Sequence, residues 1–365
     1  MGRFPSPFIF VISGLLASCV STQSNKAQPT ASEMRRDKER DSSEKESGAH
    51  LLETANQYAR DGLYREAITA FNQYLEKHPE DGAANRTLGI LYVKSGAYKK
   101  ATQYLDKAFA IYPNNYELNF YLGEAMRMQS RYADAIYHYQ RALEADPKNT
   151  GTLKALAWAY YNIRYYSEAI HTAKQLKQLA PNDFQVAIIT ARILNKISMN
   201  DKALALLNRT ETFANADSIP FLNSVKGDIL LSMGEKDAAE QAYRKALQDQ
   251  PLLPGALIGL AKKFIEDKDK KNNETAVVYL ERALKIRPNL FEAYYLLGKA
   301  YQKSNPLKSL EYYKMFAKEA SYDPSYQHEL AEIRPQLMEA RKASNANKRS
   351  DATGSTGKPD VEEQF

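Results

Sequence analysis

Cysteine is almost missing from this sequence: Cys19 is the only one in 365 residues. One thiol can close no internal disulfide and build no thiolate metal cage, so neither bridges nor structural zinc hold the fold. Glycine is scarce as well, 16 in the whole chain, which argues against a turn-rich all-β design. The histidines, His50, His78, His138, His171 and His328, are scattered, with no H-E-x-x-H and no pair at i, i+4, so no metal site is expected. G-x-S-x-G is absent and no carboxylate pair recurs, so neither an enzyme nor a cofactor is expected, and no small-molecule substrate. Gly354-Ser355-Thr356-Gly357-Lys358 has some letters of a phosphate loop, but the upstream glycine is missing and Pro359 stands where Ser or Thr belongs. Neither charge sign dominates: 50 Lys and Arg face 44 Asp and Glu, and the resulting +6 is spread along the chain, which speaks against a nucleic-acid partner. With 44% apolar and 26% charged residues, the composition fits neither a disordered chain nor a polytopic membrane protein.

Long hydrophobic runs are also lacking, with one short exception at the start. Met1 to Arg3 give a positive lead-in, and Phe8-Ile9-Phe10-Val11-Ile12-Ser13-Gly14-Leu15-Leu16 is too short to span a bilayer, the pattern of a secretory signal peptide over residues 1–18. Its end, Leu16-Ala17-Ser18-Cys19, resembles the bacterial lipobox. That resemblance implies cleavage before a diacylated Cys19, a lipid anchor of up to three acyl chains, and, with Val20 in place of Asp, sorting to the outer membrane facing the periplasm. Beyond Cys19, residues up to 47 have almost no apolar side chain to offset ordering entropy, so 19–47 is expected to be a disordered tether. Opposite charges over Glu33 to Ser47 could support transient helix there.

The middle of the chain repeats. Pro79, Pro113, Pro147 and Pro181 are spaced by 34, the period of a helix-turn-helix solenoid, and Pro251, Pro288 and Pro324 continue the series. Upstream of the prolines, a small residue is followed twelve positions later by alanine: Ala55/Ala67, Gly89/Ala101, Gly123/Ala135, Ala157/Ala169, Ala191/Ala203 and Gly227/Ala239. Such pairs let two antiparallel helices approach closely. Ala261/Ala276 repeats the pair with three extra residues, and Gly298 with Ser309 or Leu310 is a weaker eighth copy. Each second helix ends at its proline. Asn114-Asn115, Asn149, Asn182-Asp183 and Asn289 then stand where a cap for the next helix belongs. The fifth copy departs most, running two residues long over Thr210 to Ile219. The seventh carries an insertion near Asp267 to Asn273, expected as a longer exposed turn.

These features resemble the tetratricopeptide repeat family over residues 48–324. The resemblance implies an all-α solenoid of about eight helix-turn-helix repeats, closed by a capping helix over 325–342 and followed by a disordered tail over 343–365. In that family the first helix of each repeat lines an inner groove that binds protein segments. Carried over residue by residue, the groove candidates are Arg86, Phe120, Glu124, Arg127, Lys154, Trp158, Tyr161 and Arg192. Trp158 is the only tryptophan, and Trp, Tyr and Arg dominate peptide hot spots, although packing between neighbouring repeats would use Trp158 equally well. Two roles fit by analogy of architecture. One is a lipid-anchored scaffold that helps assemble an envelope machine, such as a secretin, pilus or export apparatus. The other is an adaptor that regulates cell-wall hydrolases or periplasmic proteases. In both, the partners are the membrane, through the lipid, and protein segments of the envelope.

Overall fold

The protein's structure, a computed structural model, describes residues 31–267, 270–321 and 323–339. Cys19 and the expected signal peptide and tail lie outside them. The described chain is helical, in order α1 (Ala31–Arg60), α2 (Tyr64–Lys77), α3 (Gly82–Lys94), α4 (Tyr98–Ile111), α5 (Tyr116–Arg127), α6 (Tyr132–Ala145), α7 (Thr150–Asn162), α8 (Tyr166–Leu179), α9 (Phe184–Lys196), α10 (Asn200–Glu211), α11 (Ile219–Ser232), α12 (Lys236–Asp249), α13 (Pro254–Glu266), α14 (Lys270–Ile286), α15 (Phe291–Tyr301) and α16 (Pro306–Ala320). A 3-10 turn, Pro324–Tyr326, leads into a last helix over 327–339, which we call α17. Consecutive odd and even helices pack as antiparallel pairs, each pair packs on the next, and successive odd helices also touch one another. The odd helices are therefore the inner wall of a stack of pairs that curves, since only the layer on the shorter radius brings like helices together.

Local chemistry explains the punctuation. Asp81, Asn115, Asn149 and Asp183 accept hydrogen bonds from the first backbone N–H groups of α3, α5, α7 and α9. The expected caps Asn114 and Asn289 do not act so: Asn114 accepts from Arg141, and Leu290, with no capping side chain, precedes α15. The buried Asn85 and Asn119 each donate to two carbonyls of the preceding proline turn, Pro79 and Asp81 in one case, Pro113 and Asn115 in the other. The small pairs do bring helices together. Gly123, Gly227 and Gly298 face the rings of Tyr139, Tyr243 and Tyr313, where an added Cβ would lie 2.5, 2.5 and 2.3 Å from the nearest ring carbon. Ala135 and Ala239, twelve residues after the first two glycines, and Ser309 in the eighth repeat are buried, but the ring four positions after each fills the space the glycine leaves.

Three boundaries differ from expectation. Helix α1 begins at Ala31, well before residue 48, so residues 31–47 of this polar stretch lie in continuous helix. In the seventh copy Lys270 to Asn273 belong to α14, which runs 17 residues, so much of the insertion lengthens a helix instead of a turn. In the fifth copy α10 stops at Glu211, and the extra residues form a 3-10 turn, Ala216–Ser218, in which Asn215 accepts from the Ser218 N–H. Pro220 then occupies the first turn of α11, where its missing N–H costs nothing.

Candidate functional site

The groove candidates all lie on odd helices, hence on the inner wall. Their charges are paired, mostly in one sense: a cation on one repeat reaches an acid on the next. Arg86 Nε stands 4.0 Å from Glu117, Lys154 Nζ 3.0 Å from Asp183, Arg192 3.0 Å from Asp228 and Lys262 2.6 Å from Glu292. Lys299 continues the ladder to Glu332 on α17, at 3.2 Å. Arg127 is the exception, because it pairs within its own helix with Glu124, at 2.7 Å. Glu124 also accepts from the buried Tyr139 hydroxyl, and Asp228 takes the Tyr243 hydroxyl in the same way, 2.9 Å away. Both tyrosines are pushed above their ordinary pKa by burial, reinforced by those carboxylates. Burial opposes the charge on Arg192, but Asp228 together with Tyr161, Glu292 and Tyr243 outweighs it and raises the guanidinium's pKa.

Aromatic side chains fill the wall between the pairs. Phe120 stacks near-parallel on Tyr116 and meets Tyr121 edge-on. Trp158 is half-buried, packed against the Leu153, Ala169 and Leu176 core, with its ring edge-on to Tyr161 at 5.5 Å. The two uses weighed for Trp158 thus coexist: one side packs, the other remains accessible. From Tyr161 onward the wall encloses a cavity of about 670 Å³ that includes Arg192, Asp228, Lys262 and Glu292. The structure therefore gathers Trp158, Tyr161 and Arg192 on one stretch of wall, whereas Arg86 lies on an earlier repeat.

The far side of that cavity is formed by Ser325 and Tyr326, from the turn before α17, and by Glu329 in the first turn of that helix. Sequence reasoning treated this segment only as a lid on the last repeat and missed its reach into the groove. Asp323 is 4% exposed and accepts a hydrogen bond from Ser130 Oγ, 2.8 Å away between α5 and α6. Glu292 was missed too, because it precedes the eighth small residue by more than the usual offset. Among the described residues no three His, Cys, Asp or Glu side chains converge as metal ligands, and no helix is long and apolar enough to cross a membrane.

Comparison with known proteins gives the arrangement its lineage. Profiles described as tetratricopeptide repeat match residues 52–116, 88–150, 126–193 and 223–248, and one described as TPR repeat matches 266–305. No curated protein matches in sequence. Among solved structures, a tetratricopeptide repeat protein from Parabacteroides merdae is 15% identical, with a TM-score of 0.63 over 70% of this chain and 99% of its own. Yeast Tom70 is 19% identical with a TM-score of 0.57, over 79% of this chain and 60% of that one. These two likenesses show the fold alone. The eight stacked helix pairs, their small-residue seams and the matching profiles place this chain in the tetratricopeptide repeat family.

Proposed function

We propose that the protein is a lipid-anchored scaffold that helps assemble a machine of the bacterial cell envelope by holding protein segments against its inner wall. Repeat arrays of this family are protein-interaction platforms, and the observation that carries the reading is the wall itself. Phe120, Trp158 and Tyr161 offer accessible aromatic surface between charges that are already paired. Such a wall favours extended polypeptide, which contributes apolar side chains for the rings and backbone groups for the ion pairs, over a single highly charged ligand. Anchoring is proposed on Cys19 following Leu16-Ala17-Ser18, with the array facing the periplasm from the outer membrane.

The test is a crosslinked pull-down from cell envelopes with Trp158→Ala as control. Recovery of a secretin, pilus or export component that the variant loses is the expected result. Recovery of hydrolases or proteases instead would replace the scaffold with a regulatory adaptor. Cys19→Ala is expected to move the protein from the membrane fraction to the soluble one, and unchanged fractionation would remove the anchor from the proposal.

A further inference from the structure

The contact between Asp323 and Ser130 joins residues 193 positions apart and crosses the mouth of the groove. On the donor side Ser130 occupies the left-handed position, φ 58°, that the turn inside each repeat shares, and here the residue at that position carries a hydroxyl that reaches Asp323. Beside it, the Tyr132 hydroxyl stands 3.4 Å from the same carboxylate oxygen. On the acceptor side Asp323 uses its other oxygen to cap its own turn, accepting from the Ser325 N–H and hydroxyl at 2.9 and 2.6 Å. Tyr326 is anchored edge-on against Phe316 and Phe291. The carboxylate is buried, and among the described residues its hydrogen bonds come from two neutral hydroxyls and from its own turn.

We propose that the turn Asp323–Tyr326 is an intramolecular latch that closes the superhelix on itself and gates the aromatic stretch of the groove. This regulates the interaction site proposed above and rests on that reading. The latch is shallow, since two hydroxyl bonds hold it across the mouth while the aromatic anchors stay on the eighth repeat. An incoming segment can therefore open it without unfolding a helix. A carboxylate followed closely by an aromatic ring on a partner would compete for the same Ser130 and Tyr132 hydroxyls.

The latch is tested without any partner, so its failure is distinct from failure of the scaffold reading. The full chain is compared with Asp323→Ala and with the double variant Ser130→Ala, Tyr132→Phe, which leaves the cap of the 3-10 turn intact. Hydrogen exchange over 323–339 is expected to quicken about fivefold in both, as one or two hydrogen bonds are lost from a local opening equilibrium. Acrylamide quenching of the single tryptophan, Trp158, is expected to rise with it. Unchanged exchange in the double variant would show that the eighth repeat alone holds the turn, and would overturn the latch. Faster exchange with unchanged quenching would show that it guards nothing, and would overturn the gating.

Discussion

At single positions the fold is decided by volume and by proton. Where a glycine opens the seam between paired helices, a larger side chain fills it: Leu105 at Gly89, and a tyrosine at Gly123/Tyr139, Gly227/Tyr243 and Gly298/Tyr313. The fourth repeat has Ala157 and, at the ring's position, Ala173, both buried. Gly123→Ala is therefore expected to cost about 2–3 kcal/mol through overpacking. In Tyr139→Ala background, which copies the fourth repeat, most of that increment should vanish, and urea unfolding of the double-mutant cycle reads the coupling. Simple addition of the two costs would show that the ring and the glycine are independent. A proton matters at His138, which is 7% exposed and packs edge-on to Phe109. Asn119 donates both its amide hydrogens to carbonyls, so its Oδ1 accepts from His138 and the proton of the neutral ring sits on Nδ1. Burial lowers this histidine from 6.5 to about 4, with Asp134 pulling upward and Arg141 and Arg131 pushing down. Because the unfolded chain takes up this proton first, the contribution is full above about pH 6.5 and is lost as pH falls towards 4, a total of about 3 kcal/mol. His138→Asn keeps a donor for Asn119 and should flatten the stability profile between pH 6.5 and 5. A profile with the parent's slope would place the titration elsewhere.

Turns show what was legible in the sequence at the level of elements and what was not. Proline spacing and small-residue pairs are local, recurrent signals, so eight helix pairs are legible in the sequence. The turn inside each repeat carries an equally regular signal in a less visible form. Gly62, Gly96, Ser130, Arg164 and Ser198 all have positive φ, at a spacing of 34, and Gly234 follows in the sixth repeat. Two of the five are glycine, so residue identity hides the period that backbone conformation shows. Ser198→Gly is expected to stabilise the array by about 0.5–1 kcal/mol by relieving the left-handed strain, measured as a shift in the urea midpoint. Ser130→Gly should gain the same relief yet loosen the turn at Asp323, because the hydroxyl is lost with the strain. The repeat register places the candidate residues on the odd helices, but their ion pairs are not legible in it, since the partner acids sit at different offsets: Glu117 and Glu292 near helix starts, Asp228 beside its glycine. Contacts such as Ser130 with Asp323 depend on the accumulated curvature of five repeats, which no local pattern records.

Across the whole molecule the core is unevenly thick. One cluster runs from α1 into α7 around Phe71 and Tyr139, and another from α12 to α17 around Tyr243 and Phe316. Between them the buried sets on α7 to α9 and on α9 to α11 contain only Ala, Val, Leu and Ile. A crevice of about 100 Å³ lined by Val186, Leu206 and Phe213 opens at the same place. The buried side chains there include no ring, and we expect the interface energy that couples neighbours in a one-dimensional array to be smallest at the fifth repeat. We expect the two flanking blocks to unfold separately in urea, with Trp158 fluorescence, which reports the α7 to α9 packing, not coinciding with helical circular dichroism. Leu207→Ala, at a fully buried position of this thin core, should cost about 2–4 kcal/mol and widen the gap between the two probes. Coincident curves in the parent and the variant would mean that interface coupling is uniform along the array. The Ser130 to Asp323 contact spans this weak joint from the third repeat to the cap. Opening it should lower the cooperativity between the blocks, so Asp323→Ala should separate the two probes further while leaving the helical content of the native state unchanged.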